Sequence, residues 1–253
     1  MKIIPLQEGS FTIDKTKLFV PFDIQKDDLQ KRSTGSLLVE VQPFVVVTSE
    51  DVLLLDTGLG FEKDGMLQVH KNLMDAGINP SEVTKVLMSH LHKDHAGGIS
   101  KSPPPPFRRG NSGDYELTFP KATYYIQEKE YEFAMEKGPP SYIPEELECL
   151  KNAANVKWLN GNGVIDGYIR YEVTGAHSPF HQVFWIVDGG ETIFFGGDDA
   201  PQLQQMKNKF VAKYDYDGKK CMELRQQWWK KGNEEHWQFL FYHDIKTPLF
   251  LGS

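Results

Sequence analysis

Apolar and polar positions along the first sixty residues fall into short runs. Residues 36–41, 44–48 and 51–55 are rich in Val and Leu and are parted by Gln42-Pro43 and Ser49-Glu50. Runs of this length between turn residues predict strands, here a β-meander ending in Leu53-Leu54-Leu55-Asp56-Thr57-Gly58. The period then changes. Met66, Val69, Leu73 and Ala76 fall at helical spacing, with Gly77 as the stop, so 66–76 is predicted as a helix. Asn79-Pro80 opens a second short helix, and 85–89 is an apolar strand that delivers the chain into His90. A strand at 122–127 leads to a helix at 128–137, closed by Gly138-Pro139-Pro140, and 145–154 reads as another short helix. The last third returns to strands at 169–173, 182–187 and 192–195, the last two joined at Gly189-Gly190. A helix at 220–231 and a buried strand at 237–242 follow. Strands then helices, twice over, predict an α/β chain of two mixed β-sheets packed face to face with helices outside.

One stretch breaks the pattern. From about 99 to 117 the chain carries Pro103-Pro104-Pro105-Pro106, Arg108, Arg109 and Gly110-Asn111-Ser112-Gly113. Such composition predicts a mobile loop, here within one domain covering 1–253.

Composition excludes several classes. At 253 residues, 40% hydrophobic and 25% charged, the chain can bury a core without staples. Its two cysteines, Cys149 and Cys221, form no CxxC, which excludes a disulfide framework and a thiolate zinc knuckle. A net charge of -7 offers no footprint for a nucleic-acid backbone. Residues 1–10 hold one Lys and no apolar core of a leader, and no apolar run is long enough to span a bilayer. The expectation is a cytoplasmic protein with neither membrane nor nucleic-acid partner.

The chemistry is concentrated in Ser89-His90-Leu91-His92-Lys93-Asp94-His95-Ala96-Gly97-Gly98. By composition alone an HxHxDH string arises roughly five times in ten thousand chains of this length. Imidazole suits Zn, Fe, Ni and Cu, and carboxylate suits harder ions such as Mn. In extended chain, residues i and i+2 point the same way, so His90 and His92 can grip one ion. Asp94 and His95 come a turn later and can face a second. Three further segments place ligand-type residues after apolar strands: Gly175-Ala176-His177-Ser178-Pro179-Phe180-His181, Phe194-Phe195-Gly196-Gly197-Asp198-Asp199, and Phe239-Leu240-Phe241-Tyr242-His243-Asp244.

In these motifs, taken in their order along 36–243, the sequence resembles the metallo-β-lactamase-fold hydrolases. The resemblance implies an αββα sandwich with a dinuclear site at one edge. It implies that His90, His92 and His177 hold the first metal, Asp94, His95 and His243 the second, and that Asp198 rather than Asp199 bridges them. Asp56 would orient a ligand His, and His181 would stand behind the ligands. The cofactors would be two divalent ions, Zn first, with Mn or Fe as alternatives. Two such ions would generate a bridging hydroxide to attack a small-molecule ester or lactone, with Asp94 and Asp198 as the catalytic carboxylates.

Within the family, the sequence is most similar to the N-acyl-homoserine lactonase branch, the quorum-quenching enzymes, and to its organophosphate-hydrolase neighbours. Leu117-Thr118-Phe119-Pro120-Lys121-Ala122-Thr123-Tyr124-Tyr125 looks like a segment of that branch, as does the ending at Ile245. One position departs: well-known lactonases carry a Tyr three residues after the bridging Asp, and this chain has Pro201. Phosphotriesterase and glyoxalase-II-like thioesterase readings stay open beside the lactonase. So does a non-catalytic metal-binding scaffold.

Other residues carry less. Phe22, Phe107, Phe180 and Trp185 are candidates for an apolar substrate wall, with core packing as the ordinary alternative. Arg108 and Arg109 could meet an anionic substrate, and Lys93 is expected to face solvent. His70 and His236 stand outside every motif. Trp228-Trp229 could cover the core or an oligomer face, the latter making a homodimer.

Overall fold

The computed structural model describes residues 1–102 and 115–252. The core of the proline-rich stretch, with Phe107, Arg108 and Arg109, lies outside the described residues. One six-stranded sheet runs in the spatial order Lys2–Pro5, Phe44–Val47, Val52–Leu55, Lys85–Leu87, Thr123–Gln127, Val156–Leu159. Its first three strands are antiparallel and the rest join in parallel. A second six-stranded sheet runs Gly163–Ile165, Ile169–Val173, Gln182–Asp188, Glu191–Phe195, Gln238–Leu240, Leu249–Leu251.

Alternation along the strands builds the layers. Val46, Leu53, Leu55 and Leu87 of the first sheet face Phe184, Ile186, Ile193 and Phe195 of the second in one buried cluster. The residues between them point the other way. Val45, Leu54 and Val86 pack against Val69 and Leu73 of the helix Gln68–Asp75. Val183, Trp185, Phe194 and Phe239 pack against Trp228 of the helix Gly218–Glu234. Helix, sheet, sheet, helix is the expected αββα order.

Some elements differ from expectation. Leu37–Val41 does not continue into a meander; after Gln42-Pro43 the chain changes sheets, and this strand pairs with Gly9–Ile13 in a separate three-stranded sheet. The helix predicted from Met66 begins at Gln68, because Met66-Leu67 pairs with Glu62–Lys63. The Gly218–Glu234 helix is longer than its apolar pattern suggests, since Asp217 caps its start by accepting from the Lys220 N–H at 3.0 Å. Trp185 and Trp228 are core, and Trp229 stacks on Phe239 and Phe250. Among the described residues no helix is long and apolar enough to cross a membrane.

This architecture brings four strand ends to one edge. Val52–Leu55 and Lys85–Leu87 run parallel in one sheet and exit into Asp56 and into Ser89-His90. Glu191–Phe195 and Gln238–Leu240 run parallel in the other and exit into Asp198 and His243. Ligand-type residues at the carboxyl ends of parallel strands converge there.

Candidate metal centre

Two groups of four side chains converge on this edge, each with its ligand-type atoms within 4.8 Å of one another: His90, His92, His177 and Asp198, and Asp94, His95, Asp198 and His243. In the first, His92 Nδ1 lies 2.9 Å from His90 Nε2 and 3.1 Å from His177 Nε2. Nitrogens sharing a tetrahedral ion at about 2.0–2.1 Å would sit only slightly farther apart. Asp198 belongs to both groups. Its Oδ2 is 3.2 Å from His177 Nε2, while its Oδ1 is 3.1 Å from His95 Nε2 and 3.0 Å from His243 Nε2. Asp94 Oδ2 completes the second group, 3.4 Å from His243 Nε2 and 3.7 Å from His95 Nε2.

The unpartnered atoms fit an ion. His95 Nε2 and Asp198 Oδ1 are buried with no hydrogen-bond partner among the described residues, an arrangement that costs free energy unless a cation takes both. Charge is arranged to match. Burial alone would raise the Asp198 and Asp94 carboxyls, but the imidazoles around them win, holding Asp198 well below the usual carboxylate range and Asp94 at about 2. Burial likewise opposes a charge on His243, yet Asp198 and Asp94 lift it to about 9. His90 and His92 are pushed down by burial, then by neighbouring imidazoles. Ionised carboxylates and the neutral imidazoles of His90 and His92 suit a divalent ion as they stand, whereas an ion in the second group would have to displace the proton that Asp198 and Asp94 hold on His243.

Each histidine whose Nε2 points inward is held by its other nitrogen. His95 Nδ1 meets Asp56 Oδ2 at 2.8 Å, and His90 Nδ1 meets Ser89 Oγ at 3.0 Å. His243 Nδ1 meets the Glu40 carbonyl at 2.6 Å, and His177 Nδ1 meets Asp215 Oδ1 at 2.9 Å. These partners fix ring orientation and leave the inward nitrogen its lone pair. Asp56 also accepts from Ser89 N at 2.7 Å, and its backbone takes the left-handed region at φ 58°. Such a conformation in a non-glycine residue persists where its surroundings over-determine it. His181 stands back from the cluster, with Nδ1 3.0 Å from Asp199 Oδ2 and Nε2 accepting the Asp198 N–H at 3.2 Å.

Asp215 and Glu130 escaped the sequence reading. Asp215 lies in no motif and reaches the site from a loop. Glu130 is buried on the helix Glu128–Lys137. It accepts from Leu91 N at 3.1 Å, Tyr142 OH at 3.2 Å and Ser178 Oγ at 3.0 Å, so it ties the HxHxDH loop to the His177 turn. Residues 118–119, part of the branch-like segment, serve packing: Thr118 Oγ1 donates to the Gly98 carbonyl at 2.6 Å and Phe119 N donates to Tyr124 OH at 2.9 Å.

A cavity of about 730 Å³ opens over the cluster, reaching His92, Asp94, His177, Asp198 and His243. Its apolar wall includes Ile13, Phe19, Leu38, Pro201, Phe210 and Val211. Among the sequence candidates for that wall, Phe22, Phe180 and Trp185 are elsewhere: Phe180 packs on Phe133, and Trp185 on Phe194. Lys93 does not simply face solvent; it is half-buried, lines the cavity and stands 6.0 Å from the Phe19 ring centre. His70 packs edge-on against Phe119. Cys221 is buried and Cys149 half-buried, and neither belongs to the cluster.

Sheet order, strand-end histidines and a shared carboxylate define a metallo-β-lactamase-fold protein. The family model of the Metallo-beta-lactamase superfamily matches residues 39–102. It is 30% identical over 123 residues to the N-acyl homoserine lactonase AttM of Agrobacterium fabrum, covering 44% of this chain and 38% of that protein. To the N-acyl homoserine lactonase AiiA of Bacillus thuringiensis subsp. kurstaki it is 26% identical over 125 residues, 49% of this chain and 40% of that one. The matched stretch thus spans about two fifths of these relatives' length. In three dimensions it is similar to a probable metal-dependent hydrolase from Staphylococcus aureus, with a TM-score of 0.79 and 19% identity, over 100% of this chain and 92% of the other. It is also similar to AidC, a dizinc quorum-quenching lactonase, with a TM-score of 0.71 and 19% identity over 98% and 89%.

Proposed function

We propose that this chain is a metal-dependent hydrolase that opens a lactone or ester, with N-acyl-homoserine lactones as the first substrates to try. The observation that carries the reading is Asp198, whose two carboxylate oxygens face two separate ligand groups. In this reading His90, His92 and His177 would hold one divalent ion, Asp94, His95 and His243 the other, and Asp198 would serve both groups. When bound, the two ions, Zn or alternatively Mn or Fe, would supply a hydroxide from water near neutral pH and an electrophilic pull on the carbonyl oxygen. The chain's own residues do the rest. Asp94, ionised and at the cavity wall, accepts the proton of the attacking water and passes it to the departing alkoxide. The apolar wall excludes water and takes the acyl chain. No side chain serves as a nucleophile. The names of AttM, AiiA and AidC support the lactone reading. Pro201, in place of a tyrosine, favours a second reading as a phosphotriesterase.

Elemental analysis of metal-replete protein should find about two ions per chain; one or none would overturn the dinuclear reading. Lactones, aryl esters, thioesters and phosphotriesters assayed side by side then decide the substrate. Oxygen from labelled water should enter the product acid, and no covalent intermediate should be trapped.

A further inference from the structure

Four lysines line the cavity over the metal cluster: Lys15, Lys17, Lys93 and Lys213. They come from three separate segments of a chain whose net charge is -7. Lys15 and Lys17 stand on the turn between Gly9–Ile13 and Val20–Pro21, Lys93 opens the helix Lys93–Ala96, and Lys213 precedes Asp215. None of the four forms an ion pair with a described residue, whereas seven other lysines do. Asp14, on the same turn, directs its carboxylate at Thr16, accepting from the Thr16 N–H at 2.9 Å and Oγ1 at 2.6 Å.

Lys17 and Lys93 are the informative pair. Both are half-buried at the cavity wall. Lys17 has φ 59°, a left-handed conformation in which glycine or asparagine would be easier. Lys93 Nζ stands 6.0 Å from the ring centre of Phe19, two residues after Lys17, so both lysines reach the same stretch of the cavity wall. Two like charges partly removed from water, neither in an ion pair with a described residue, are stabilised by an anion placed between them.

We propose that Lys17 and Lys93 clamp an anionic group at the far end of the substrate, so that this site prefers an ester or lactone carrying a carboxylate or phosphate over its neutral counterpart. The inference rests on the hydrolase reading above and narrows it, because N-acyl-homoserine lactones are neutral and leave the clamp empty. Lys15 and Lys213 at the exposed rim draw the anion in, and the apolar wall between rim and metal cluster takes the carbon chain.

The test compares matched substrates on metal-replete full-length protein: the mono-4-nitrophenyl ester of adipic acid, its methyl ester, and an analogue ending in phosphonate. The carboxylate ester should have kcat/KM about tenfold above the methyl ester, as a charge-assisted contact warrants. The advantage should shrink as salt rises. In the double variant Lys17→Gln, Lys93→Gln, with metal content confirmed, the ratio within that variant should fall to near one, and Lys17→Glu should reverse it. A phosphonate ester that outpaces both identifies a phosphate-type anion as the group held. Equal rates for neutral and charged esters in the wild type overturn the clamp, and so does a preference that survives in the double variant. Calorimetry with monomethyl adipate reads the clamp without turnover. If no ester is cleaved, binding about tenfold weaker in the double variant keeps the clamp and sinks only the hydrolase reading. Equal affinities then overturn the clamp.

Discussion

Asp198 and Asp199 are neighbours with opposite assignments, and single substitutions separate them. Asp198 faces both ligand groups, so Asp198→Asn should lose metal and nearly all turnover. Asp199 faces away, with its Oδ1 accepting from His177 N at 2.8 Å and its Oδ2 beside His181. Asp199→Asn should keep both ions and lower the melting temperature instead. Asp215 tests the support of a ligand: Asp215→Ala removes the partner of His177 Nδ1, and metal affinity should fall about 10–100-fold by competitive chelation. Unchanged affinity would make that contact incidental. The ligand-type residues were legible because each ends a recognisable apolar strand or sits in a dense string. Asp215 and Glu130 were not, because one comes from an irregular loop and the other reads as a surface carboxylate on an ordinary helix. Only the folded chain shows that the helix face carrying Glu130 is buried against Leu91 and Ser178. The setting of Lys93 was not legible for a similar reason: its neighbours in sequence are ligand-type residues, while Phe19, 6.0 Å from its ammonium, arrives from another segment.

At the scale of elements, the strands with full apolar alternation were legible, and Ile169–Val173 and the helix Glu128–Lys137 have the bounds their patterns predict. The Gly189-Gly190 turn also follows, since both residues take positive φ, 59° and 81°, between the paired Asp188 and Glu191. Short edge strands such as Gly163–Ile165 and Leu249–Leu251 were not, because three residues carry too little period and their pairing is set by the sheet beside them. Nor could the pattern tell that Leu37–Val41 leaves its sequence neighbours for Gly9–Ile13. The turn Gly196-Gly197-Asp198 shows what glycine does at the site. Gly197 has φ 49°, and a Cβ there would lie 2.7 Å from Ser89 Cβ and 2.8 Å from His181 Nε2. Gly197→Ala therefore drives Asp198 off its place between the ion groups while carrying about 1 kcal/mol of backbone strain besides the clash. The expected result is loss of bound metal together with a lower melting temperature, both read on the purified variant; retention of two ions would show that the turn can yield.

For the molecule as a whole, stability should depend on pH through a group that sits outside the cluster. Glu8 links the three-stranded sheet to the turn after Asp56: its N–H donates to the Val41 carbonyl at 2.9 Å, and its Oε2 accepts from Leu59 N at 2.6 Å. Burial raises its carboxyl to about 8, against the pull of the Leu59 N–H. Between its ordinary value near 4.5 and about 8, the folded chain holds a proton that the unfolded chain has released. Folding stability contributed by this group is therefore full below 4.5 and is lost as pH rises through 8, each unit of the upward shift being worth about 1.4 kcal/mol at most. Glu8→Gln keeps an oxygen for Leu59 and cannot ionise. Its melting temperature should match the wild type near pH 5 and exceed it at pH 9, with equal metal loading at both. The difference isolates Glu8 from the histidines and aspartates of the cluster, whose titration both proteins share. Parallel melting curves from pH 5 to 9 would mean that water reaches the Glu8 carboxylate and that the link between the sheets is not strained by charge.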